Sequence, residues 1–213
     1  MEARVSANRG YHHGDLRAAL ISASFEVLAE CGLQRFSVAA VARRLGVSSA
    51  APYRHFPDRG HLLSAVSAAA ARDLRHAIVA AADDAGTDPA DRLAAAAGAY
   101  VRYVARTGAG LQVIYAPELY PLADDDRREH TRALMTTMLD LASATGTTSY
   151  ADAVLLVEAM IAVAHGYTTL FLDGFFSRND SSAGQIAARA VEAARMVLTT
   201  PETGCSNQIV QID

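Results

Sequence analysis

Residues 46–56 read GVSSAAPYRHF, and the side chains they carry suit contact with a polar, charged partner. Ser48 and Ser49 offer hydroxyls that donate and accept, and serine bonds to either kind of base edge. Ala50 and Ala51 add only methyl groups, so a backbone bearing them can come close to a surface, and an alanine methyl can touch a thymine methyl. Tyr53, Arg54 and His55 follow in succession. Their phenol, guanidinium and imidazole can reach phosphate oxygens, which fix register without reading sequence. Val47 and Phe56 bracket the stretch and are expected to face inward. The chemistry implied is recognition of a nucleic-acid duplex.

Other clusters invite chemical readings. RGYHHGDLR, residues 9–17, with Arg4 before it, fits an arm that enters a minor groove. Its alternatives are a metal site at His12 and His13 or the plain start of a helix. The side chains of adjacent histidines diverge, and no cysteine or acid completes a ligand set. DDDRREH, residues 124–130, resembles a cation site, but acids at a helix start are already accounted for by capping and the helix dipole. Tyr100, Tyr103, Leu111, Tyr115, Met138, Met160, His165 and Phe171 are candidates for lining a cavity that takes a small-molecule effector. The same helical spacings equally serve a core. There is no Gly-x-Ser-x-Gly, His-Glu-x-x-His, phosphate loop or dinucleotide fingerprint. The expectation is therefore no enzyme, no cofactor and no metal.

The elements that would carry these residues are helical. Alanine is abundant, β-branched runs are few, and the fold class expected is all-α, with nine helices and no strands. A first helix spans 15–31 and stops at Gly32. Ser37 caps a short helix with Val38, Val41, Ala42 and Leu45 on its apolar face, and Gly46 ends it. Ser48 is then expected to cap a helix of about two turns, closed by Phe56-Pro57 because the residue before proline avoids helical dihedrals. Asp58 starts a long amphipathic helix to about residue 82, with Leu62, Leu63, Val66, Ala70, Leu74 and Ile78 inward. Asp88-Pro89 opens the next, a short segment runs from Leu111 to Tyr115, and three further helices cover 124–144, 150–175 and 183–198. No run of about 18 apolar residues lacks a charge, so no membrane span is expected. The two cysteines, Cys31 and Cys205, and the absence of a secretory pattern point to a reducing cytoplasm.

Charge is divided unevenly. Residues 1–60 hold eight arginines against five acids, net +3, and the remainder is net −7; no lysine occurs. A basic head on an acidic body suggests that the head meets a polyanion. Two short helices joined at a glycine that can take left-handed dihedrals form a helix-turn-helix, whose second member enters the major groove.

The stretch FSVAAVARRLGVSSAAPYRHFPDRGHLLSAV closely resembles the DNA-binding segment of the tetracycline-repressor (TetR) family, and with helix 15–31 the likeness covers about residues 11–80. That resemblance implies DNA contacts at Ser37, Ser48, Ser49, Ala50, Tyr53, His55 and Arg59, and Arg54, between two of them, is expected to join the set. Arg59 stands where the family usually has lysine, Pro52 where it has leucine or isoleucine, and Gly60 where it has a better helix former. Residues 110–120 and the His165-Gly166 pair are similar to a subset of the family, with Ile161 in place of a tryptophan, and Gly166 is expected to admit another helix closely. The implied organisation is a helix-turn-helix domain at 1–60 with an arm at 1–14. An effector-binding and dimerisation domain follows at 61–200, with 58–82 as connecting helix, and a loose tail at 201–213. The implied function is a homodimeric regulator, paired through helices 150–175 and 183–199, released from a double-stranded palindromic operator by a small-molecule effector. The alternative left open is a DNA-bound adaptor that recruits a protein and has no effector.

Overall fold

A computed structural model describes residues 15–177 and 181–199. Among these residues the chain forms eight α-helices and no strands: α1 (Leu16–Arg35), α2 (Val38–Leu45), α3 (Arg59–Asp84), α4 (Pro89–Thr107), α5 (Leu111–Ile114), α6 (Asp125–Ser143), α7 (Tyr150–Leu172) and α8 (Ala183–Leu198). Short 3₁₀ turns occupy Pro52–Arg54 and Pro117–Leu119. The expected N-terminal arm, Cys205 and the C-terminal tail lie outside the described residues.

Local chemistry explains where the helices begin. Asp15 accepts the Ala18 N–H at 2.9 Å, Ser37 accepts the Ala40 N–H at 3.2 Å, and Asp58 accepts the His61 N–H at 2.9 Å. Asp88 accepts from both Ala90 and Asp91 ahead of α4. Ser149 caps α7, and Ser182 with Gln185 forms a reciprocal capping box on α8. Gly32 interrupts α1 with φ 70° and ψ 172°, and Gly46 ends α2 at φ 68°.

Two elements differ from expectation: α1 runs on to Arg35 across a kink at Gly32 instead of stopping there, because only that one residue leaves helical dihedrals. The helix anticipated over 48–56 is a turn followed by a single 3₁₀ turn, so the count is eight rather than nine. Pro52 is the cause. It has no N–H to donate back to Ser48, so the segment closes instead through Ala51 N–H to Ser48 O, Arg54 N–H to Ala51 O and His55 N–H to Pro52 O.

The chain divides into two compact units. The first comprises residues up to Ala77 and Tyr103–Thr137, with a core that includes Leu20, Leu28, Val41, Leu62, Leu63, Val66, Leu74, Ile114 and Leu119. The second comprises Ile78–Arg102 and Met138 onward, with Leu93, Val101, Met160, Ile186, Ala190 and Ala194 buried. Within it α7 and α8 pack together, and α4 lies against α8 so closely that a Cβ on Gly98 would sit 2.7 Å from Val191 Cγ2.

Candidate nucleic-acid interface

The turn after α2 presents a row of exposed residues over a buried seat. Ser48, Ser49, Ala50, Arg54 and His55 are exposed, Tyr53 is 52% exposed, and Ala51 is half-buried. Pro52 and Phe56 are buried beneath them and Val47 is half-buried. The 3₁₀ turn therefore carries its polar side chains outward, while its two apolar members anchor it to the unit. Ser37 is half-buried at the start of α2, where its oxygen is engaged in the cap.

The arginines around this turn do different work. The Arg17 guanidinium lies 5.2 Å from the centre of the Phe56 ring, directly behind the exposed row. Arg43 and Arg35 are exposed and, with Ser37 and Cys31, line an open groove of about 620 Å³ along α1 and α2. Arg44 lines the same groove but is engaged by carboxylates. It pairs with Glu26 at 3.0 Å and with Glu30, and these two carboxylates raise its pKa.

Arg59 is a clamp. Its Nε donates to Phe36 O at 3.1 Å, its Nη2 to Leu33 O at 3.1 Å, and its Nη1 to both oxygens of Glu118 at 2.9 Å. The guanidinium also covers the Phe36 ring at 5.7 Å. The family resemblance marked Arg59 as a phosphate contact and gave no sign of these partners. Glu118, Arg17 and Arg43 escaped the sequence reading. The first pairs across 59 residues of chain, and the other two look like ordinary surface arginines on helices.

Further along α3 the same segment of chain is fastened again. Ser64 donates to Asp124 at 2.7 Å, Ser67 to Ile114 O at 2.8 Å, and Arg75 to Thr137 at 3.0 Å. Burial pushes the Asp124 carboxyl up. The Arg127 N–H, the Ser64 hydroxyl and the charges of Arg127 and Arg17 outweigh this and hold it below the ordinary carboxylate value. Arg127 itself is 6% exposed; its Nη2 donates to Leu119 O at 3.0 Å and its Nε has no partner. Gly108 (φ 65°) places its backbone against α1, where an added Cβ would lie 2.6 Å from Ala29 N.

Comparison with known proteins decides what this arrangement belongs to. Residues 20–66 match the signature of bacterial regulatory proteins of the tetR family, and residues 93–194 match the tetracyclin repressor-like C-terminal domain. The chain belongs to the TetR family. The TetR signature runs from within α1 through the reading turn into α3, and the C-terminal match takes in α4 to α8. The HTH-type transcriptional regulator BetI of Stenotrophomonas maltophilia (strain R551-3) is 37% identical over 79 residues, covering 37% of this chain and 40% of that protein. The match thus spans less than half of that relative's length. A protein of unknown function from Rhodococcus sp. RHA1 is 29% identical with a TM-score of 0.67, covering 89% of this chain and 98% of the other. A TetR family transcription regulator from Marinobacter aquaeolei VT8 shares the fold at a TM-score of 0.56 and 19% identity, covering 83% of this chain and 94% of the other.

Within this TetR-family chain the eight residues named for an effector site fall into both units. Tyr103, Leu111 and Tyr115 belong to the first, and Tyr100, Met138, Met160, His165 and Phe171 to the second. Tyr100, Tyr103, Met138 and Met160 are buried, Leu111, Tyr115 and Phe171 half-buried. The Tyr103 hydroxyl is buried without a partner, and burial pushes its pKa up. His165 is exposed, with its Nδ1 3.0 Å from the Tyr100 hydroxyl, a hydrogen bond whose proton either can supply. Gly166 has nothing within 4 Å of where a Cβ would stand. No helix among the described residues approaches it.

Proposed function

We propose that this TetR-family regulator binds a palindromic double-stranded operator as a homodimer, in the cytoplasm, and represses until a small-molecule effector in its C-terminal domain releases it. The observation that carries the reading is the exposed row Ser48, Ser49, Ala50, Tyr53, Arg54 and His55, seated on buried Pro52 and Phe56. Small residues at the tip let the backbone reach base edges; the larger polar ones beside it grip the strands. Ser37 at the α2 N-terminus and Arg59 complete the proposed contact set, the latter after exchange of its present partner.

One such tip buries too little surface to discriminate an operator, so two copies are required, with tips about 34–36 Å apart or a multiple of it. The surface that supports pairing lies on α7 and α8. Tyr150, Leu155, Leu170, Leu172, Met196 and Val197 are exposed there. By length and mean hydropathy (1.6), α7 would also pass as a membrane span. Its buried residues Ala153, Val157, Met160, Ala164 and Thr168 nonetheless recur at three- and four-residue spacing, the pattern of a helix that packs on other helices. An effector moves the binding equilibrium only by its difference in affinity for the two states.

The test is selection of bound duplexes from random DNA by the full chain. A two-fold symmetric consensus is expected. Tyr53→Ala should weaken binding to that consensus, Arg54→Ala should also reduce the salt slope, and an asymmetric or absent consensus would overturn the reading.

A further inference from the structure

We infer that Glu118 holds Arg59 away from the DNA backbone and so sets the affinity of the reading head. The inference rests on the DNA-reading role proposed above. All three nitrogens of the Arg59 guanidinium are engaged, and only the contact at Nη1 can be exchanged. Nε and Nη2 are committed to the backbone carbonyls of Phe36, between α1 and α2, and Leu33, near the end of α1. These bonds fix where α3 starts relative to the capped start of α2. Nη1 faces both oxygens of the Glu118 carboxylate. A phosphate offers the same pair of anionic oxygens to a guanidinium edge. It can take the place of the carboxylate while the two carbonyl bonds stay made.

The surroundings favour such an exchange. Arg59 begins α3 with three residues between it and His55, where the exposed row ends. Its side chain is 35% exposed and that of Glu118 46%, so the pair is screened by water and is weak enough to part. The α3 N-terminus is already served by Asp58, which accepts both the His61 N–H and its ring nitrogen Nδ1. Glu118 is carried on a stiff mount, the 3₁₀ turn Pro117–Leu119, which Pro117 opens, whose Leu119 is buried and which Pro121 follows two residues on. An open recess of about 210 Å³ bounded by Leu33, Gln34, Arg59 and Ala116–Glu118 leaves the ion pair reachable from solvent.

The experiment measures binding of the full chain to a labelled random-sequence duplex of about three helical turns, by fluorescence anisotropy from about 50 to 200 mM KCl. Glu118→Gln is expected to tighten binding about two- to fivefold and to steepen log Kd against log salt by about 0.9, one additional phosphate contact. Glu118→Asp should stay near the parent slope. In an Arg59→Gln background the Glu118→Gln gain should vanish. If Glu118→Gln leaves affinity and slope unchanged, or weakens binding while lowering Tm, Glu118 is only a strut and the inference is overturned. If the parent chain binds no duplex at the lowest salt, the DNA-reading role itself fails and takes this inference with it.

Discussion

At the scale of single residues, capping and turn chemistry were readable in advance because they act over three or four positions. Ser37, Asp58, Asp88 and Ser149 each cap the helix their residue type announces, and Gly46 takes the left-handed dihedrals of a C-cap. The partners of Arg59 and the setting of Asp124 were not readable, since Glu118 and Ser64 reach them from about 60 positions away. No local pattern encodes such a pairing. Asp124 yields a prediction about acid. Its carboxyl is held below the unfolded value of about 3.9. The stability it contributes is therefore complete above that pH and is lost as pH falls through the folded value. Asp124→Asn should lower Tm at neutral pH and flatten the fall of Tm between about pH 4 and 2, read by thermal melts across that range. A variant whose acid melting curve parallels the parent would contradict the assignment.

At the scale of elements, periodicity located the long helices well. All six residues expected to face inward from α3, Leu62, Leu63, Val66, Ala70, Leu74 and Ile78, are buried. Periodicity misjudged residues 48–56 because it cannot register a missing donor. Pro52 stands where the first α-helical bond back to Ser48 would form, and the chain tightens into a 3₁₀ turn. Two glycines with nearly the same φ separate backbone conformation from crowding. Gly46 has open space where a Cβ would go, so Gly46→Ala should cost only the left-handed penalty, about 1–2 kcal/mol. At Gly108 the added Cβ would also meet the α1 backbone at Ala29 and Leu28. Gly108→Ala should therefore destabilise by clearly more, at least about 3 kcal/mol, with a drop in Tm of about 6–12 °C. Equal losses for the two variants would show that α1 yields at that point.

At the scale of the whole molecule, the all-α class, the DNA-reading head and the family were legible from composition, the charge difference between the first 60 residues and the rest, and the run from Phe36 to Val66. The division into units was not. Contacts gather residues 103–137 with the head and 78–102 with the C-terminal helices, because α3, α4 and α6 each contribute to both groups. The proposed dimer has a direct check. Leu155→Glu combined with Leu170→Arg puts charge on exposed apolar positions of α7. It should yield monomers by light scattering, leave helical content unchanged and abolish binding to a palindromic site, since each half alone binds weakly.

The seat beneath the proposed reading turn has a consequence for how such a protein changes its target. Pro52 and Phe56 fix the shape of the tip from behind, so its outline depends little on the identity of Ser48, Ser49, Ala50, Tyr53, Arg54 or His55. Those positions can be exchanged as a set with little penalty to folding. The scaffold is thus suited to retargeting, in which new operator preferences arise by swapping a handful of outward letters while the supporting frame stays untouched.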